Sequence, residues 1–300
     1  MSLIIENKEL TLVEIDLSSH NYISNQEIDI TIQLALKLNR PILIEGPAGT
    51  GKTSVATSLA EALNWQLYRI QCYEGITVES VIGEFDYRRQ LLHIELERQK
   101  PHSPMNPLSL EDIFSRDFFI ERPLFLSFIN DEPSVLLIDE IDKSDEEFEA
   151  YLLEALGERQ ISIPELGTFK AETNDQLVIL TSNSSRDLSE PLRRRCLFLY
   201  IDFPTLEREK EILSIHTELP FDSPLLDSIA KIVHFLRDLD LRKAPSIAET
   251  IDWAQALIHL GTTQIDEDVL KKTLPVLVKY QEDLLLLKSK HREMIRLGNM

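Results

Sequence analysis

The sequence predicts an α/β protein, a parallel sheet with helices on both faces followed by a small all-α unit. Three observations carry that prediction. Short apolar runs alternate with helix-period segments over residues 30–204. A glycine-rich loop, GPAGTGKT at 46–53, joins one such run to one such helix. Beyond Pro204 the apolar spacing becomes that of an α-helix and stays so.

The elements follow in order. Residues 24–39 open with S-N-Q-E, which predicts a capping box between Ser24 and Glu27, and Ile28, Ile32, Ala35 and Leu36 then recur at helical spacing. Residues 41–45 are short, apolar and bounded by breakers, so they read as a buried strand leading into the loop. Further strands are predicted at 66–72, 134–139, 176–181 and 197–202. A helix over SDEEFEAYLLEAL is expected to start with a capping box of Ser144 and Glu147 and to bury Phe148, Tyr151, Leu152, Ala155 and Leu156. Residues 160–173 alternate around a Pro and a Gly, which predicts a hairpin with its tip near 165–167. After Pro204, four stretches read as helical: TLEREKEILSIH, LDSIAKIVHFLRDL, SIAETIDWAQALIHL and VLKKTLPVLVKYQEDLLLLKSKHREMIRL. The boundary is set at 204, giving an α/β nucleotide-binding domain over 1–204 and a helical lid domain over 205–300.

Composition excludes several classes. Three hundred residues at 43% apolar content suffice for one large or two modest cores. The longest apolar runs, VLLI and LLLL, fall far below the ~20 residues of a membrane span. The start, MSLIIENKEL, lacks the basic and apolar regions of a secretory signal, so a cytoplasmic protein is expected. Cys72 and Cys196 read as buried thiols at strand ends, and the seven scattered histidines offer no i, i+4 pair for a metal. A net charge of −20, from 51 acidic and 31 basic residues, repels a nucleic-acid backbone and favours protein or small-molecule partners.

The loop has the G-x-x-x-x-G-K-[ST] pattern, in which backbone N–H groups and a helix N-terminus cradle phosphates. Gly46, Pro47, Ala48, Gly49, Thr50, Gly51, Lys52, Thr53 and Ser54 are therefore candidate ATP-binding residues. Lys52 is placed on the β and γ phosphates and Thr53 on Mg²⁺. SVLLIDEID at 134–142 delivers Asp139 to the carboxyl end of a buried strand, as a second metal-site residue, with Glu140 beside it to polarise a water. Asp145, Glu146 and Glu147 read instead as a helix start that complements its dipole. Asn183, in QLVILTSNSS, can orient the attacking water. Arg193, Arg194 and Arg195 form either a solvated basic patch or an arginine finger for a neighbouring subunit.

Taken together, GPAGTGKT, LLIDE, TSN and RRRC resemble the Walker A, Walker B, sensor 1 and arginine-finger motifs of an AAA+ ATPase, in that order, with a lid following. With QCYEGITVESVIGEFDYRRQLLHIEL, ISIPELGTF and LRRRCLFLYIDFP, residues 20–260 are similar to the MoxR family, and within it to the CoxD-like branch associated with maturation of molybdenum-containing carbon monoxide dehydrogenase. The resemblance implies a homo-oligomeric ring, commonly a hexamer, with ATP and Mg²⁺ between subunits. It implies Arg195 as the finger, with Arg194 the alternative. LRKAPSIAET matches the second-sensor segment, implying Arg242, with Lys243 the alternative, although the serine-proline-arginine form is absent. It further implies chaperone-like remodelling of a metalloenzyme client and a von Willebrand factor A domain partner. Residues 83–97 and the hairpin around Glu165 match the two inserts of that family, both of which would face a pore; Phe85 and Tyr87 read as core more readily than as substrate contacts, and Arg88 and Arg89 stay open between the two. A nucleotide-gated assembly switch with slow turnover is the alternative, and a nucleic-acid motor fits the charge poorly.

Overall fold

A computed structural model describes residues 15–99, 110–171 and 176–298. Its elements begin with α1 (Gln26–Leu38), β1 (Ile42–Glu45), α2 (Lys52–Leu63) and β2 (Gln66–Gln71). A side layer follows: α3 (Glu79–Ile82), β3 (Gly83–Phe85), α4 (Tyr87–Gln99), α5 (Leu110–Ile113), β4 (Phe119–Glu121) and α6 (Pro123–Ile129). Then come β5 (Ser134–Asp139), α7 (Glu146–Glu158), β6 (Gln160–Ile163), β7 (Gly167–Lys170), β8 (Gln176–Ser182), α8 (Glu190–Arg195) and β9 (Leu197–Tyr200). Five helices complete the described chain: α9 (Leu206–Thr217), α10 (Pro224–Arg237), α11 (Ile247–His259), α12 (Glu267–Leu277) and α13 (Gln281–Gly298).

Five strands form one parallel sheet in the order β2-β5-β8-β1-β9. Because successive side chains alternate faces, Ile42 and Ile44 pack with Val135, Leu137, Ile179, α1 and α2, while Leu43 packs with Leu136, Ile138, Leu180, α6 and α7. Both faces are covered, which explains why β1 and β5 read as unbroken apolar runs rather than alternating ones. The helices past Pro204 enclose a third core around Trp253, Leu226, Ile229 and Leu270.

Several expectations are corrected. Asn25, not Ser24, caps α1, accepting from the Ile28 N–H, and Asp145, not Ser144, caps α7, accepting from Phe148. In each case a better-placed acceptor one residue later takes the N–H three positions on; the Ser144 hydroxyl donates instead to the Ile141 carbonyl. The last helical stretch is two helices: Pro275 stands in the final turn of α12, where it removes a donor, and the chain restarts at Gln281. β9 ends at Tyr200 rather than 202. The expected hairpin is β6–β7, antiparallel, and residues 172–173 of it lie outside the described residues. Of the insert, Phe85 is buried edge-on against Phe114 and Phe119, in line with its core reading, whereas Tyr87 stands in solvent rather than in the core. The β3–β4 pair that holds the insert was not anticipated.

One arginine ties the helical unit to the sheet. Arg237 of α10 donates from Nη1 and Nη2 to the fully buried Glu209 of α9 at 2.5 and 2.8 Å, and from Nε to the Pro245 carbonyl. Its guanidinium also lies 4.4 Å over Phe203, in the segment that leaves β9. Burial alone would raise the Glu209 carboxyl, but His234 and Arg237 outweigh it and hold the group below its ordinary value. A depressed carboxylate stabilises above the ordinary carboxylate range and loses that contribution as pH falls through its folded pKa. Glu209→Gln is thus expected to cost about 3 kcal/mol at neutral pH, with the gap to wild type closing below about pH 4. Urea melts across that range measure it, and a gap independent of pH would contradict the assignment.

Candidate functional site

The glycine loop leaves the carboxyl end of β1 under two steric constraints. A Cβ on Gly46 would stand 1.9 Å from the Ile201 carbonyl oxygen where β9 ends, so only glycine passes. At Gly49, φ is +79° and a Cβ would meet the Ser246 Cβ at 2.2 Å. That contact seats the start of α11 on the loop, where the Ile247 N–H donates to the Gly49 carbonyl at 3.1 Å. The loop runs into the N-terminus of α2, whose first N–H groups have no intrahelical acceptor. Lys52 folds back on the loop, donating to the carbonyls of Gly46 (2.8 Å) and Pro47 (2.7 Å). Burial lowers its pKa against the opposing pull of Asp142, Asp139 and Glu140.

Across from the loop lies the end of β5. Asp139 is 3% exposed. Its Oδ1 accepts from the hydroxyls of Thr53 (2.9 Å) and Thr181 (2.6 Å), and its Oδ2 accepts from Arg69 Nη2 (2.6 Å). Glu140 takes a left-handed backbone, φ 55° and ψ 48°, uncommon for a residue with a Cβ and a feature that clusters at functional sites. Its Oε1 accepts from Asn183 Nδ2 at 3.2 Å; its Oε2 accepts from Gln71 Nε2 at 2.9 Å and Lys143 Nζ at 2.5 Å. The Asn183 loop is fixed in turn by Asp142, which accepts from the Asn183 N–H, the Ser185 N–H and the Ser185 hydroxyl. Burial would raise that carboxyl, and these donors outweigh it and lower it.

Loop and carboxylates border one cleft of about 790 Å³. Residues 48–54 line it with Asp139, Glu140 and Asn183, and Tyr22, Ile28, Ile201, Phe203, Ile212 and Ile251 add apolar surface among polar groups such as Asn21, Asp202 and Arg208. The glycine loop and the N-terminus of α2 suit a phosphate chain. Burial pushes the Tyr22 hydroxyl up to about 12, so it stays a neutral phenol. Thr53 and Asp139 offer oxygen only, the donor type a hard divalent cation takes while keeping several waters. The cradle and donor set therefore fit a magnesium nucleotide.

Other predicted residues stand apart from this cleft. Arg193 donates to Glu45 at 2.7 Å, Arg194 to Glu190 at 2.8 Å, and Arg195 to the Leu153 carbonyl. Arg242 stacks 4.0 Å over Tyr280 and Lys243 pairs with Glu249 at 3.1 Å, so neither lines the cleft. Cys72 and Cys196 are buried, and burial pushes both thiols up to about 12. Sequence reasoning missed Arg69, Gln71 and Lys143, along with residues 20–23 and Asn25, which line the cleft, and Arg208, whose guanidinium reaches the Ile23 carbonyl. Arg69 and Gln71 become visible only once β2 is paired with β5, Gln71 standing beside Asp139. Lys143, three residues after Glu140, carried a local signal.

Residues 41–196, more than half the chain, match the family described as AAA domain (dynein-related subfamily). Gas vesicle ATPase GvpN1 of Halobacterium salinarum is 26% identical over 253 residues, covering 81% of this chain and 68% of that protein. Gas vesicle ATPase GvpN of Haloferax mediterranei is 27% identical over 257 residues, covering 81% and 71%. Among solved structures, a point mutant of RuvB from Thermotoga maritima shares the fold at a TM-score of 0.53 and 19% identity, covering 89% of this chain and 73% of that one. The matched stretch runs from the strand before the phosphate loop to the arginines of α8, with Asp139, Glu140 and Asn183 between them: the chain belongs to the AAA domain family, dynein-related subfamily.

Proposed function

We propose that the protein is a Mg²⁺-dependent ATPase that works as a ring, with each nucleotide completed by an arginine of the next copy, and that turnover drives remodelling of a protein client. The observation that supports hydrolysis over mere binding is the Glu140 carboxylate at the mouth of the phosphate cleft, held by the Asn183 amide. In this reading the N–H groups of residues 48–53 and the Lys52 ammonium hold the β and γ phosphates, Lys52 leaving its two loop carbonyls to do so. Thr53 and Asp139 hold the metal, which when bound neutralises charge on the phosphate oxygens. Glu140 accepts a proton from the attacking water and Asn183 fixes its direction. Arg195, or Arg194 in its place, supplies the cation in trans.

The relatives' names contribute the ATPase activity alone. A metalloenzyme client, a hexamer and a von Willebrand factor A domain partner come from the MoxR resemblance and are proposed on that basis, as is the division into an α/β domain to 204 and a lid beyond it. Arg242 or Lys243 would reach the nucleotide only after leaving Tyr280 or Glu249.

Glu140→Gln is expected to bind ATP with wild-type affinity and to hydrolyse it about 10²-fold more slowly or worse; a turnover within a few fold of wild type rejects Glu140 as the base. Arg195→Ala should likewise keep binding and lose on the order of 10³ in turnover, and if Arg194→Ala shows that loss instead, the finger is Arg194. Arg69 occupies Asp139 as a half-exposed cation, an interaction of about 1 kcal/mol. Arg69→Ala should therefore lower the Mg²⁺ concentration that half-saturates fluorescent-nucleotide binding, by about 5-fold. An unchanged or higher Mg²⁺ requirement would show that the arginine does not compete for the acid.

A further inference from the structure

Helix α8 has six residues, and a helix that short leaves its last carbonyls without helical partners. Three successive carbonyls at its end are taken by one side chain from far away in sequence. Arg40 donates from Nη2 to the Arg194 carbonyl (2.5 Å) and the Cys196 carbonyl (3.2 Å), and from Nε to the Arg195 carbonyl (3.0 Å). Its own backbone is fixed on both sides, by Asn39 in the left-handed cap of α1 and by Pro41 before β1. Strand pairing does not need this grip. The Leu197 N–H already donates to the Pro41 carbonyl at 2.8 Å, and the β1–β9 ladder starts at Ile42 and Leu197. What the guanidinium adds is a set position for the last turn of α8, the turn that carries Arg193, Arg194 and Arg195.

Those arginines diverge. Arg193 turns inward to Glu45, Arg195 lies along α7 against Gly157, and Arg194 stands in solvent, its Nε donating to an exposed Glu190. Arg40, Arg194 and Arg195 together line a cleft of about 430 Å³ that has no carboxylate among its described lining residues. On a chain of net charge −20 this is a local reversal of sign. Guanidinium groups gathered around one cleft repel each other, and an anion brought by another molecule removes that cost.

We propose that Arg40 is a positioning residue: it holds the α8–β9 turn so that Arg194 and Arg195 meet the triphosphate bound to an adjoining copy. The proposal rests on the trans-arginine reading above and adds to it the residue that sets the geometry. It also separates Arg40 from the chain's own nucleotide, which it does not touch, since Arg40 is absent from the lining of the phosphate cleft.

The test uses the full-length chain with Arg40→Ala and Arg40→Lys. Arg40→Ala should bind a fluorescent ATP analogue as wild type does and lose about 10²-fold in kcat, the loss that accompanies misplacement by about an ångström. Arg40→Lys, which keeps the charge but not the planar fork that spreads over three carbonyls, should recover part of it. Each variant is then mixed with Lys52→Ala protein, whose own site cannot hold nucleotide but whose α8 is intact. Turnover should rise in the Arg40→Ala mixture, because Arg40→Ala sites now meet an undamaged α8. If nucleotide affinity falls and mixing restores nothing, Arg40 supports its own phosphate loop and the proposal is overturned. Unchanged kcat, or loss of assembly in both Arg40 variants by sedimentation, overturns it equally. The same mixing with Arg195→Ala and with Arg194→Ala tells the two readings apart: if neither is restored, the trans reading itself fails, and if one is restored while Arg40→Ala is not, only the role of Arg40 does.

Discussion

The buried carboxylate of Asp139 is the interaction on which the site depends. Taking that charge out of water costs several kcal/mol unless donors meet it, and its oxygens are met by Thr53 on α2, Thr181 on β8 and Arg69 on β2. β2 and β8 flank β5 in the sheet, and α2 packs over it. One acid therefore fixes the phosphate loop's helix against three adjacent strands. Thr181 serves twice, donating to Asp139 and accepting the Glu140 N–H, and so holds the backbone at the left-handed residue where the chain turns the second carboxylate away from the first. The two acids are adjacent in sequence and face different tasks because of that turn.

The phosphate loop also makes contact with the helical unit, and glycine makes that possible. With any side chain at Gly49, Ser246 could not approach, and the capping box of Ser246 and Glu249 that starts α11 would be pushed off the loop. Phe203 belongs to the same arrangement, lining the cleft on one side and lying under Arg237 on the other. Phe203 thus joins the wall of the cleft to Arg237 and the buried Glu209 among the helices.

Much of this was legible in the sequence, for a physical reason. Strands buried on both faces are apolar throughout, so β1 and β5 announced themselves, and the phosphate loop's glycines and lysine sit at spacings that few other structures require. The helix caps were misread by one residue because serine and its neighbour were both competent acceptors, and local geometry decided between Ser24 and Asn25 and between Ser144 and Asp145. Arg69, Gln71 and Arg40 were not legible at all. Each acts across 69 residues or more of chain, and only strand order brings it to its partner. Arg242 shows the reverse: a motif position can be assigned by resemblance, yet the side chain finds an aromatic face nearer than the cleft.

Strand order also explains why the two ends of β1 matter together. At its carboxyl end Glu45 accepts from Arg193, and at its amino end Arg40 holds the turn after Arg195, so both ends of one four-residue strand are fastened to the same short helix. Hydrogen-bonded ladders to β8 and β9 run along both edges of that strand, which leaves no room for it to bend independently. A strand of this length spans about 13 Å, with the phosphate loop at one end and the arginine turn at the other. The same strand thus sets the spacing between the loop and the last turn of α8, the turn that carries Arg193, Arg194 and Arg195.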